Sequence, residues 1–117
     1  PPDVLVSLAP KSVTTPIAMG IAIQLGGIAS LTAVLVISTG VIGAVAVTPL
    51  MNALRLKDMA ARGFAVGVVA HGSGTARAFP VDPLAGAFAG IGMALNGAVT
   101  ALIVPAILIA AARFMGG

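Results

Sequence analysis

The sequence predicts an all-α, polytopic helical membrane protein with about four hydrophobic segments and discontinuous helices, forming a single membrane domain over residues 1–117. Three observations predict it. Of the 117 residues, 59% are hydrophobic and 8% charged, against about 25% charged in an ordinary soluble domain, which is too little charge to cover a soluble surface. No charge occurs between Lys11 and Arg55 or between Asp82 and Arg113, and each gap holds the roughly 20 apolar residues that a helix needs to cross hydrocarbon. Two polar runs, Pro10–Pro16 and His71–Arg77, interrupt the apolar sequence with Pro and Gly. The aromatics are four Phe, with neither Trp nor Tyr for an interfacial belt.

Taken in order, the chain opens on Pro rather than Met, and Val4 to Leu8 reads as the end of an apolar element already under way. A signal peptide would need a basic start, a short apolar core and a small-residue cleavage site. The expectation is therefore the carboxy-terminal half of a longer, transporter-like protein. A helix is expected from Val13 to Leu25, with Pro16 in its first turn where a missing amide hydrogen costs little, and Gly26 and Gly27 ending it. A second begins at Ser30 as N-cap and runs through Leu31 to Val47, where Thr48 and Pro49 stop it. Arg55, Lys57, Asp58 and Arg62 then form the only charge cluster, a loop or surface helix at one membrane face.

Gly63 to Ala70 is apolar again but too short to cross a bilayer alone. It meets the turn-forming stretch His71 to Thr75, after which Pro80 and Pro83 break the backbone. The last helix is expected from Leu84 to Ala112, kinked at Pro105 and closed by Arg113. Because positive charge stays on the cytoplasmic side, the Arg55, Lys57 and Arg62 loop is expected inside, in the inner membrane of a bacterium. Small residues recur at helical spacing, Gly86, Gly90, Ala94 and Ala98 in one stripe and, if the helix persists that far, Gly63, Gly67, His71 and Thr75 in another. Stripes of this kind let helices approach closely in lipid.

The polar runs carry what chemistry there is. Lys11, Ser12, Thr14 and Thr15 lie at a helix start, where free amide hydrogens and the dipole attract an anion. The plainer alternative is that Lys11 snorkels to headgroups while the hydroxyls cap the helix. In the second run, Gly72 and Gly74 favour exposed backbone, His71 is a candidate for proton coupling and Arg77 for bidentate binding of a carboxylate. Its competing assignments are a structural histidine and an interfacial arginine paired with Asp82. Gln24, Asn96 and Thr100 are read as interhelical hydrogen-bonding residues rather than a site.

Catalysis has little material: the chain has three Asp, no Glu, no Cys and one His, so metal clusters and paired carboxylates are not expected, and no cofactor is implied. Ser73 lacks the Gly-x-Ser-x-Gly spacing of a nucleophile elbow. An enzyme is not expected. The net charge of +3 comes from scattered basic residues without interleaved aromatics, which argues against nucleic acid.

The segments LAPKSVTTPIAM, LGGIASLTAVLVISTGVIGA and AHGSGTARAF, in this order, resemble the carboxy-terminal half of the LrgB/CidB family, from about Leu8 to Pro105. The Pro-Lys-Ser-x-Thr-x-Pro and His-Gly-x-Gly-Thr-Ala-Arg patterns carry the resemblance. It implies two functions of different class. One is that of the plant relatives, plastidial glycolate/glycerate translocators, and of bacterial relatives connected with pyruvate uptake. On this reading Lys11, Ser12, Thr14, Thr15, His71, Gly72, Gly74, Thr75 and Arg77 form facing broken elements that bind a small 2-hydroxy or 2-oxo monocarboxylate. The other is an antiholin-like regulator of murein hydrolase activity and lysis, acting with a small holin-like (LrgA/CidA-type) membrane partner. The lipid bilayer is the surrounding in both, and self-association is left open. A carrier calls for two broken helices that meet, whereas a regulator needs only unbroken spans and an exposed small-residue face.

Overall fold

Five helices and no strands make up residues 1–116, the part of the chain that the structure, a computed structural model, describes. They are α1 (Pro2–Leu8), α2 (Thr15–Gln24), α3 (Ala29–Ala53), α4 (Met59–Val81) and α5 (Pro83–Met115). The fold is that of an all-α membrane protein. Two helices, α3 with 25 residues and α5 with 33, are long and apolar enough to cross a bilayer. The other two hydrophobic segments are present as helices but do not span, because α2 has 10 residues and α4 is broken.

Residues at the start of α3 show how a neighbour replaces a local cap. Ser30 lies inside the helix, and the N-cap is Ile28, whose side chain offers no acceptor. Ser7 of α1 supplies the missing polar partner: its Oγ accepts from Ile28 N at 2.7 Å and donates to Asp3 O at 2.6 Å. Thr32 Oγ1 returns the contact by donating to Ser7 O at 3.0 Å. Both Ser7 and Thr32 are fully buried, so their polar atoms are satisfied where water does not reach. Gly26, at φ +80, turns the chain out of α2 into this junction.

Two proline expectations are corrected. Pro49 does not stop α3, which continues to Ala53, and Pro80 lies inside α4. Each falls near the end of its helix, where the missing N–H removes a single ladder bond and little helix remains to be misdirected. Pro83 starts α5 instead of breaking it, and the Asp82 carboxylate caps that helix by accepting from Leu84 N at 2.8 Å and Ala85 N at 3.0 Å. Pro105 lies within α5, which continues past Ala112 to Met115.

The break in α4 is sharper than composition suggests. It is concentrated at His71, with φ 43 and ψ −125, while Gly72 to Val81 is helical again. In an uninterrupted helix Gly74 would lie about 12 Å along the axis from Val66. Here a β-carbon on Gly74 would stand 2.6 Å from Val66 Cγ1 and 2.7 Å from Ala70 Cβ. The chain therefore folds back at His71 into a helical hairpin, with a first limb up to Ala70 and a second limb from Gly72. α5 runs parallel to the first limb: Gly63 abuts the Ala85 backbone, and Gly67 abuts that of Ala89. α3 lies antiparallel to that limb, with Gly43 against Val69 and Gly40 against the His71 ring.

The expected stripes are partly redrawn. Gly63 and Gly67 do make the close approach, but His71 ends that stripe and removes Thr75 from it. On α5 the face toward the first α4 limb is Ala85, Ala89 and Gly92, while Gly86 of the expected Gly86, Gly90, Ala94 and Ala98 stripe packs on the Phe79 ring of the second limb and Gly90 has nothing within 4 Å.

Candidate functional site

Asn96 of α5 joins the two broken elements. Its Nδ2 donates to Ser12 O, in the turn between α1 and α2, and to Val68 O at 3.2 Å, near the end of the first α4 limb. Thr100 Oγ1 donates to Asn96 Oδ1 at 3.4 Å and orients the amide. Asn96 thus bridges the Lys11–Pro16 turn and the end of the first α4 limb. Interhelical hydrogen bonding was the expected role of Asn96; that its two partners belong to the two motif regions was not legible, because nothing in the local sequence says which carbonyls it meets.

Around that junction the motif residues have unequal surroundings. Lys11 is exposed and its Nζ donates to Ser12 Oγ at 3.2 Å. Thr14 is the N-cap of α2, yet its side chain makes no capping bond, so the hydroxyl leaves the first amides of that helix uncapped. Thr15 begins the helix proper. His71 is buried at 4% exposure, packs on Gly40, and among the described residues its Nε2 has no hydrogen-bond partner. Thr75 Oγ1 donates to His71 O at 2.8 Å, closing the first turn of the second limb. Gly72 is exposed beside it.

Gly74 and Arg77 lie elsewhere, on a cavity of about 360 Å³ toward the open end of the hairpin. Its walls come from both α4 limbs, the later half of α3 and the start of α5. Four polar side chains face it, Thr48, Asn52, Arg62 and Arg77, and among the described residues no carboxylate lines it; Val47, Met59, Val66 and Val81 make the apolar part. Arg77 Nη1 donates to Ala44 O at 3.2 Å. Arg62 Nη1 donates to Leu56 O and its Nη2 to Asn52 Oδ1, both at 2.9 Å. Each guanidinium has five N–H donors, so both keep donors free for a ligand.

The expected competitor, Arg77 paired with Asp82, is not what forms, since Asp82 accepts from the α5 amides and Arg77 turns to α3. The motif residues therefore separate into the α1–α2 turn, Lys11 to Thr15, the hairpin tip, His71, Gly72 and Thr75, and a cavity pair, Gly74 and Arg77. Sequence reading missed Arg62 because it sits in a charge cluster that looks like a topology signal. Arg62 lies on the first limb, whereas Arg55 and Lys57 precede it.

A family model for the LrgB-like family matches residues 1–110. The chain belongs to the LrgB-like family. It is 33% identical over 107 residues to the Holin-like protein CidB of Staphylococcus aureus (strain Mu50), covering 92% of this chain and 47% of that protein. The CidB of Staphylococcus epidermidis (strain RP62A) gives the same identity and coverage. YwbG of Bacillus subtilis (strain 168) is 38% identical over 102 residues, 87% of this chain and 45% of YwbG. The chain spans about half the length of these curated LrgB-like relatives. No solved structure matches it. The holin-like names of these relatives bear on the lysis-related reading of the family and say nothing of carboxylate transport.

Proposed function

We propose that the chain is the carboxy-terminal half of a membrane carrier for small 2-hydroxy or 2-oxo monocarboxylates of the glycolate, glycerate or pyruvate type. It would sit in a bacterial inner membrane with the Arg55, Lys57 and Arg62 region on the cytoplasmic side, and would do no covalent chemistry. The observation that carries this reading is the cavity of the broken α4 helix, which among the described residues presents two guanidiniums and no carboxylate. Guanidinium forks suit carboxylates. Asn96 bridges the Lys11–Pro16 turn and the first limb of the broken α4 helix, and carriers build central sites from discontinuous helices.

The test is uptake of labelled glycolate and pyruvate into proteoliposomes by the intact protein, beside Lys11→Ala and Arg77→Ala variants. Saturable uptake that Arg77→Ala abolishes, with amount and fold of protein unchanged, is the expected result. Absence of uptake of either acid by well-folded protein sinks the assignment.

A second reading is favoured by the relatives' names: a holin-like or antiholin-like membrane subunit that controls lysis through contact with a small holin-like partner. Under it, the exposed apolar faces of α3 and α5 are the contact surfaces and the arginines are structural. Co-purification with such a partner, undisturbed by Arg77→Ala, would favour it over the carrier.

A further inference from the structure

We infer that the outer part of the α4 cavity binds the phosphate headgroup of an anionic phospholipid, with Arg62 and Arg77 as its donors. This goes beyond the carrier reading and does not rest on it. The cavity is walled by Asn52 near the end of α3, Met59 at the start of α4, Val81 at its end and Ala85 near the start of α5. Four helix ends therefore meet around it. Because α3 and α5 are the helices long enough to span, the level at which one ends and the other begins is that of the headgroups, not of the bilayer centre.

Charge at this end is unbalanced. Between Arg55 and Asp82 the chain carries Arg55, Lys57, Arg62 and Arg77 against two carboxylates, Asp58 and Asp82. Both carboxylates are engaged as helix caps, accepting from the amides of Ala60, Ala61, Leu84 and Ala85. Among the described residues the two cavity guanidiniums have neutral partners, the Ala44 and Leu56 carbonyls and the Asn52 side-chain oxygen. A phosphodiester supplies the missing anion, and its oxygens suit the guanidinium fork. The rim is apolar: Met59 and Val81 line the cavity and are exposed, and Leu56 and Leu84 are exposed beside them. Free phosphate gains nothing from such a rim, whereas a lipid lays its acyl chains along it while its headgroup enters. Basic pockets between spanning helices at a membrane face hold anionic headgroups in this manner. On the carrier reading the lipid and the carried acid share donors and exclude one another, which makes the lipid a competitor.

The experiment is native mass spectrometry of the intact protein in detergent, titrated with phosphatidylglycerol, with phosphatidylcholine of the same chains, and with glycerol phosphate as a headgroup without chains. Phosphatidylglycerol is expected to bind at least about tenfold more tightly than phosphatidylcholine and than glycerol phosphate. Arg62→Gln and Arg77→Gln are each expected to weaken phosphatidylglycerol about fivefold, the contribution of one basic residue at an anionic surface. Arg113→Gln, in the last turn of α5 and so at its far end, is expected to change nothing. Arg62 also holds the Leu56 carbonyl, so if Arg62→Gln fails to fold, Arg77→Gln decides. Equal binding of the two lipids, or phosphatidylglycerol binding that is indifferent to the cavity arginines or as sensitive to Arg113→Gln, overturns the inference. Glycerol phosphate bound as tightly as phosphatidylglycerol assigns the cavity to a soluble phosphate and overturns the lipid occupant. None of these results decides the carrier reading, which stands or falls on uptake.

Discussion

A β-carbon on Gly67 would overlap the backbone of Ala89, whereas one on Gly90 would meet nothing within 4 Å. The two glycines look alike in the sequence, each in a stripe of small residues, and the structure gives them opposite sensitivities. Gly67→Ala should lower stability by about 1–3 kcal/mol through overpacking against α5. Gly90→Ala should be neutral or slightly stabilising, since an exposed-side alanine favours helix. Thermal unfolding of the two variants in detergent checks the contrast. At His71, φ 43 is a conformation that a β-branched residue resists and glycine adopts freely. His71→Val should therefore destabilise more than His71→Gly in the same measurement, although valine fills more of the buried space. The reverse order would mean that packing on Gly40, not backbone geometry, governs the position.

Elements were legible where apolar length alone decides, and less so where a partner decides. α5 and the body of α3 follow from charge-free runs, and the interruption of α4 from its Gly-rich stretch. Its restriction to one residue did not follow, because Gly72, Ser73 and Gly74 are as compatible with a restarted helix as with an unwound one, and packing of Gly74 on Val66 selects the former. Two adjacent stripes of α5 pack on α4, Ala85 and Ala89 on the first limb and Gly86 on Phe79 of the second, and spacing alone cannot say which meets which limb. Asn96 lies on the first of these stripes, past Ala89 and Gly92. Asn96→Leu should cost about 1–3 kcal/mol by stranding the Ser12 and Val68 carbonyls. Faster amide exchange confined to the first turn of α2 and the end of the first α4 limb is the expected signature; exchange spread evenly along the chain would deny Asn96 its joining role. Asp58, which accepts from Ala60 N at 2.8 Å and Ala61 N at 3.1 Å, caps the first limb, and Asp58→Ala should cost about 1 kcal/mol in unfolding.

At the scale of the molecule, the described residues extend over 50 × 24 × 23 Å, long enough for α3 and α5 to cross a hydrocarbon core of about 30 Å. Large apolar side chains are exposed along both helices, among them Ile42 at 67% and Leu102 at 76%, as lipid or further protein would require. The hairpin between them reaches in from the end that carries the Arg55–Arg62 charges and returns to it, so the cavity opens toward that end. Of the candidate site, the sequence revealed Arg77 and Gly74 through their motif; Arg62, Asn52 and Thr48 become part of it only by fold-back at His71. That fold-back is the central claim, and cysteines at Met59 and Val81 test it in the intact protein in native membranes. The two residues face one cavity here, whereas a continuous α4 would hold them about 33 Å apart. Efficient cross-linking by a short bifunctional maleimide is the predicted result; two cysteines that each react with a monofunctional maleimide but never with each other would contradict it.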